Sequence, residues 1–457
     1  LGRPYNQVNN HFMHPYLPLT DTQRKAMLKD IGVAAFKDLL NDIPRDVPRP
    51  KISLPEPLSE QGLEKEMRQI AALNKPITSM LSFLGAGTYD HYIPAVVPHL
   101  ASRGEFFTAY TPYQAEASQG TLQVIYEYQT MMASLTGMDV CNASHYDGAT
   151  SFAESVIIAM QQTQRTKVII TASIHPDYRK VLRTYLSSYT CEIIEIGFTT
   201  SGVLDRGALE KALTKDVACC AVQSPNFFGV IEDLEGLSER LAAVGACFIM
   251  VVNPMSLGVL RSPGEWGADI ACGDAQVFGN PPSFGGPHLG FIACKEKLMR
   301  RLCGRLAGMT EDAEGKRAFV LTLQAREQHI RRERASSNIC SNQALCALKA
   351  CIYLASIGDK GLRTIAENNV RNTDYLRSAL KKVSGCKVLF DAPVFNEFVI
   401  QTDVPVQQVI QACTRKDIFP GVALEGYYPA LKNCLLVCVT ETKTKEDLDR
   451  FVNVIKA

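Results

Sequence analysis

Apolar residues follow two different rhythms along this chain. From Thr20 to about Leu40 the spacing of Met27, Leu28, Ile31 and Leu39 predicts a short helical pair, with Asp21 as its cap and Pro44 as its end. Five prolines between Pro44 and Pro57 predict an extended strap. Ser59 then opens a helix that carries Leu63, Met67, Ile70 and Ala71 on one face, with Pro76 just past its end. Residues 13–80 are therefore expected to form a helical arm of the kind that clasps a neighbouring subunit. Residues 1–12 lack the basic start and apolar core of a signal peptide and read as an added or disordered lead before Met13.

Beyond residue 81 short continuous apolar runs alternate with helical stretches. Strands are expected at Lys167–Thr171, Glu192–Phe198, Val217–Gln223 and Cys247–Val252, with another carrying Gln276. Runs that are apolar throughout indicate strands buried on both faces, hence a mostly parallel sheet in a large α/β domain, residues 81–335. Ligands on such sheets gather at the carboxyl ends of the strands. His175, Asn226, Asn253 and Gln276 all fall at or just beyond those ends. Residues 336–457 predict a smaller C-terminal α/β domain, entered by an Ala- and Cys-rich helix over Gln343–Ser356. It continues with helices over Leu362–Val383 and Val406–Thr414, strands near Lys387–Leu389, Glu397–Gln401 and Cys434–Val439, and a last helix capped by Thr444.

Composition narrows the function classes. With 457 residues, a net charge of +1 and 46% hydrophobic residues, the chain has a sizeable core and no bulk electrostatic case for nucleic acid or an anionic membrane. The run Ala246–Val252 is far too short to span a bilayer. The fifteen cysteines are odd in number, lie largely in apolar runs and form no Cys-x-x-Cys pair, which predicts reduced, buried thiols in a cytoplasmic protein. No HExxH pattern is present, and no metal is expected.

Several stretches carry candidate chemistry. Gly85-Ala86-Gly87-Thr88-Tyr89-Asp90 has Asp90 where a dinucleotide fingerprint needs its third glycine. It reads either as an ordinary turn or as a loop bringing backbone, Thr88 and Tyr89 to a ligand. Tyr113, Gln114, Glu116 and Gln119 form a dense polar and aromatic entrance to a helix running to about Thr136. Gly148, Ala149, Thr150 and Ser151 open another helix with small residues and hydroxyls, a phosphate seat or simply a capped helix start. Arg326, Arg331 and Arg332 are spaced for pairing with Glu327 and Glu333 along one helix, or for binding a carboxylate or phosphate.

The order of strand, polar turn, glycine-rich loop and returning strand over Gly264–Gly290 resembles the active-site floor of pyridoxal-phosphate enzymes of the aminotransferase-like fold. That resemblance implies a fold type I pyridoxal-phosphate-dependent transferase architecture. In such sites a lysine amine holds the cofactor aldehyde. Here the position is Gln276, whose amide nitrogen is delocalised into its carbonyl and is no nucleophile. Lys295, beyond the returning strand, lies on the wrong side of the loop to replace it. TPYQAEASQG, ASHYDGATSFAE, QSPNFFGVIEDL, FGGPHLGF and LTLQAREQHIRRERASSNIC, in this order, resemble signatures of the P-protein family of the glycine cleavage system. The likeness is to the first (alpha) subunit of its two-chain form and runs from His14 to the C-terminus.

The resemblance implies glycine decarboxylation through pyridoxal phosphate, with transfer of the aminomethyl group to the lipoyl arm of H-protein. It also implies a second subunit that bears the lysine, typically in an α2β2 assembly. It assigns Gly148, Ala149, Thr150 and Ser151 to a remnant phosphate turn, His175 to ring stacking, and Asn253 to the place of the acid that normally faces the pyridine nitrogen. Thr88, Tyr89, Tyr113, Gln114, Glu116, Gln119, Arg326, Arg331 and Arg332 become candidates for the surface facing the partner or its active site. A purely structural paralogue is the alternative.

Overall fold

The computed structural model describes residues 19–44, 47, 53, 55–335 and 337–456. Contacts divide the chain into two compact units, Leu1–Asn74 and Lys75–Ala457. The lead before Met13 and most of the proline strap lie outside the described residues.

In the first unit α1 spans Asp21–Ile31 and α2 spans Glu60–Ala71. Thr20, not Asp21, caps α1: its hydroxyl accepts from the Gln23 N–H while Gln23 answers to the Thr20 backbone. A hydroxyl one residue earlier reaches the third amide of the helix, which a side chain already in the helix cannot do. Ser59 caps α2 as expected. Neither helix buries a residue, and Leu63, Met67 and Ile70 stay exposed.

The second unit starts with β1 (Leu81–Ser82), paired in parallel with Ile418–Phe419. Helices α3 (Val96–Ala101), α4 (Gly104–Phe107) and α5 (Gln119–Thr136) lead into the main sheet. Its strands are β2 (Val140–Cys141), β3 (Lys167–Thr171), β4 (Glu192–Ile196), β5 (Val217–Gln223), β6 (Cys247–Val252), β7 (Ile270–Asp274) and β8 (Gly290–Cys294). They lie in the order β2-β8-β7-β6-β5-β3-β4, the five from β7 to β4 parallel and the β8 and β2 edge antiparallel. The intervening helices are α6 (Gly148–Thr163), α7 (Pro176–Leu186), α8 (Arg206–Ala212) and α9 (Leu237–Val244).

The pleat sends alternate side chains to opposite faces. On β6, Phe248, Met250 and Val252 enter the cluster shared with α5 and α9, while Cys247, Ile249 and Val251 enter the one shared with α6 and α7. Both faces are covered, which is why these strands read as unbroken apolar runs. All fifteen cysteines are free, and Cys340 is the one classed as exposed. No described helix is long and apolar enough to cross a membrane.

A hairpin follows, β9 (Leu306–Glu311) with β10 (Arg317–Thr322), then the single turn α10 (Gln328–Arg331). The two helices expected over Gln343–Ser356 and Leu362–Val383 are both present, running end to end over Ala344–Leu380 (together α11) and separated by a kink at Gly358 with φ 62° and ψ −172°. The chain ends in β11 (Cys386–Val388), β12 (Glu397–Thr402), α12 (Val406–Thr414), β13 (Ile418–Phe419), β14 (Val422–Ala423), β15 (Cys434–Cys438) and α13 (Lys445–Lys456). Four of these strands form an antiparallel sheet, β11-β12-β15-β14. Phe83, just after β1, stacks on Phe451 and belongs to the core of this C-terminal layer. Thr444 and Asp447 cap α13 reciprocally.

Candidate functional site

The carboxyl ends of the parallel strands bring four of the expected residues together. His175 follows β3, Asn226 follows β5, Asn253 follows β6 and Gln276 follows β7. Their hydrogen bonds give each a definite role.

Gln276 is 1% exposed. Its Nε2 donates to the carbonyls of Tyr89 (3.0 Å) and Asn280 (2.6 Å), and its Oε1 accepts from the Tyr89 N–H at 3.0 Å. The amide thus completes a two-way pairing with the backbone of Tyr89, as a neighbouring strand would. A primary amide, with donor and acceptor side by side, suits this task; an ammonium has no acceptor.

That pairing fixes the Gly85–Asp90 loop, which other side chains hold from different directions. Glu397, on β12, accepts from the Ala86 N–H at 2.7 Å and from Tyr89 Oη at 2.8 Å. Burial pushes the Glu397 carboxyl up to about 7. His175 contacts the Ala86 carbonyl through Nε2 at 2.8 Å and accepts from the Asp177 N–H through Nδ1 at 3.1 Å, a pattern that defines the neutral Nε2–H tautomer. Burial also lowers its pKa. Thr88 Oγ1 lies 3.3 Å from His288 Nε2. Tyr89, a candidate for the surface facing the partner or its active site, is buried at 8% exposure, with its backbone paired to Gln276 and its hydroxyl to Glu397.

Asp274, the last residue of β7, gathers the other side of the site. One oxygen accepts from the Gly148 N–H (3.0 Å) and contacts His288 Nδ1 (2.8 Å); the other accepts from the Gln276 (2.9 Å) and Leu289 (3.2 Å) amides. Hydrogen bonding to this carboxylate raises the His288 pKa. The α6 start is closed from below too. Asp147 accepts from the Thr150 N–H at 2.7 Å, and the hydroxyls of Thr150 and Ser151 turn back to the Asp147 carbonyl at 3.0 and 2.8 Å. The turn Gly148, Ala149, Thr150, Ser151 is therefore a capped helix start flanked by two carboxylates.

One face of the His175 ring is taken by Tyr178, from the first turn of α7, with centroids 4.9 Å apart and rings 22° from parallel. A Cβ on Gly148 would overlap Tyr178 Oη. Burial holds the Tyr178 phenol well above its ordinary pKa. Asn253 caps the following turn through Oδ1, which accepts from the Met255 N–H, and leaves Nδ2 buried without a partner. Asn226 knots the turn after β5 through Gly202, Phe228, Val230 and Glu232. As they stand, these residues do not fit a covalently held phosphate cofactor. No amine is at the strand end, an aromatic ring covers the histidine, and two carboxylates sit where a phosphate dianion would be repelled.

Lys295 follows β8, which runs antiparallel to β7, so it lies at the opposite edge of the sheet and donates to the Gly137 carbonyl at 3.1 Å. Of the remaining candidates, Tyr113 and Arg326 both reach the Gly304–Arg305 stretch, through Arg305 and the Gly304 carbonyl. Gln119 is half-buried and tied to Phe319 through both its N–H and its carbonyl (2.9 and 2.8 Å). Tyr113, Gln114 and Glu116 are exposed. The expected helix through Arg326–Arg334 is broken: Arg332 has φ 52°, and Glu327 and Glu333 turn to His329 (3.6 Å) and Arg334 (3.9 Å). Arg331 and Arg332 are exposed, whereas Arg326 is partly buried and donates to the Gly304 carbonyl at 2.7 Å. Sequence reasoning missed Tyr178, Asp274, His288 and Glu397.

Comparison with known proteins places this geometry. A family model described as the glycine cleavage system P-protein matches residues 14–455. The probable glycine dehydrogenase (decarboxylating) subunit 1 of Desulfitobacterium hafniense is 50% identical over 438 residues, covering 96% of this chain and 98% of the relative. The protein of the same description from Geobacillus kaustophilus is 50% identical over 442 residues, with 96% and 98% covered. A crystal structure of glycine decarboxylase (P-protein) of the glycine cleavage system, in inhibitor-bound form, superposes with a TM-score of 0.86 at 41% identity, covering 97% of this chain and 99% of that one. The sphingosine-1-phosphate lyase of Burkholderia pseudomallei shares the fold alone, at a TM-score of 0.66 and 14% identity over 90% of this chain and 92% of that one. The fold is that of type I pyridoxal-phosphate enzymes, and the chain belongs to the P-protein family of the glycine cleavage system, among the sequences described as subunit 1.

Proposed function

We propose that this chain is the half of a two-chain glycine dehydrogenase that carries no covalent cofactor. It would pair with subunit 2, whose lysine holds pyridoxal phosphate, in an α2β2 assembly in the cytoplasm. The assembly would decarboxylate glycine and pass the aminomethyl group to the lipoyl arm of H-protein. The observation that carries this reading is Gln276, whose amide is wholly engaged by the backbone of Tyr89 and Asn280 at the strand end. That its relatives are known as subunit 1 supports a second chain.

The test uses the purified full chain. With pyridoxal phosphate and borohydride, mass spectrometry should find no reduced lysine adduct near the strand ends, and glycine–bicarbonate exchange should appear only after subunit 2 is added. Exchange by this chain alone, or a lysine adduct at the site, sinks the proposal.

A further inference from the structure

A guanidinium taken out of water needs a counter-charge, and buried arginines in folded proteins are ordinarily paired. Arg305, immediately before β9, is 5% exposed. Its Nη2 donates to Tyr113 Oη at 3.2 Å, and its guanidinium carbon lies 5.6 Å from the centroid of the Tyr113 ring. Its Nε is buried and has no acceptor. Among the described residues no carboxylate oxygen lies within 4.0 Å of the group. Arg326 repeats the pattern beside it in the chain fold: Nη2 donates to the Gly304 carbonyl, Nε is buried without an acceptor, and the neighbouring Glu327 is turned to His329.

The cover over Arg305 is Tyr113. Tyr113 is 51% exposed, and His329 meets its ring edge-on with centroids 6.3 Å apart. Because Tyr113 Oη accepts from Arg305, its own proton is free to donate. An unanswered Nε–H, a second N–H on the adjoining Nη2 and a phenol proton match a planar group with two acceptor oxygens.

We propose that Arg305 and Tyr113 form a receptor for a carboxylate that this chain does not itself supply. The carboxylate belongs either to a free amino-acid-sized ligand or to an acidic side chain of subunit 2. The second source rests on the functional reading above; the first does not.

The experiment has two arms, each run on the full chain and on Arg305→Met and Tyr113→Phe. In one, acetate and glycine are titrated into the isolated chain by calorimetry at constant ionic strength, with chloride and phosphate as controls. In the other, affinity for subunit 2 is measured. Saturable carboxylate binding that weakens at least about fivefold in both variants identifies a free ligand. No such binding, with association to subunit 2 weakened by a similar factor, identifies the partner's carboxylate. The isolated Arg305→Met chain should melt no lower than the parent, because an uncompensated buried charge has been removed. The proposal is overturned if neither arm responds to the variants, if phosphate binds as tightly as acetate, or if Arg305→Met lowers Tm by more than about 5 °C.

Discussion

Gln276 shows how one side chain closes off a chemistry and takes up a structural task. Its amide serves two carbonyls and one N–H inside the molecule. Gln276→Glu keeps the shape but turns the donor end into an acceptor facing the Tyr89 and Asn280 carbonyls. We expect a loss of about 3 kcal/mol in urea unfolding at pH 7, and less at pH 5, where the new carboxyl can take up a proton. Glu397 offers a second test. Its carboxyl is raised from an ordinary 4.5 to about 7, so between those values the folded state binds more protons than the unfolded state. This contribution is complete below about 4.5 and is lost as pH rises through about 7. Thermal melting across pH 5 to 8 should therefore fall more steeply for the parent than for Glu397→Gln; parallel curves would refute the assignment. Sequence could point to Gln276, since a strand, a turn and a glycine loop surround it. It could not point to Tyr178, whose position in the α7 repeat is unremarkable, nor to Glu397, which is 311 residues from the Ala86 amide it holds.

At the level of elements, continuous apolar runs located β3, β5 and β6 to the residue, because burial on both faces leaves one composition available. The same reading separates the two helical runs of α11. The join at Gly358 divides these two runs through a backbone conformation nearly closed to other residues. Gly358→Ala should cost about 1–3 kcal/mol, read as a lower denaturation midpoint with unchanged helicity. The Arg326–Arg334 stretch is where the charge pattern misleads. Its charges are spaced for a helix, yet Arg332 leaves the helical region and the pairs form with nearer neighbours. Local charge pairing is worth only a few tenths of a kcal/mol and does not decide a backbone path.

For the whole molecule, the proposed role is that of a chain contributing surface and not covalent chemistry, a reading supported by the engaged amide of Gln276. If that surface faces the shared reaction, Tyr113→Ala or Arg331→Ala should lower glycine–bicarbonate exchange at least about tenfold while gel filtration still shows the two subunits together. Unchanged exchange for both would favour a purely structural partner.

Tyr178 and the Gly85–Asp90 loop have one more consequence. A pocket that is packed with its own tyrosine and sewn shut by backbone does not wait for a vitamin to be finished. If this chain holds no cofactor, as proposed, the isolated polypeptide would keep its melting temperature whether or not the vitamin is supplied.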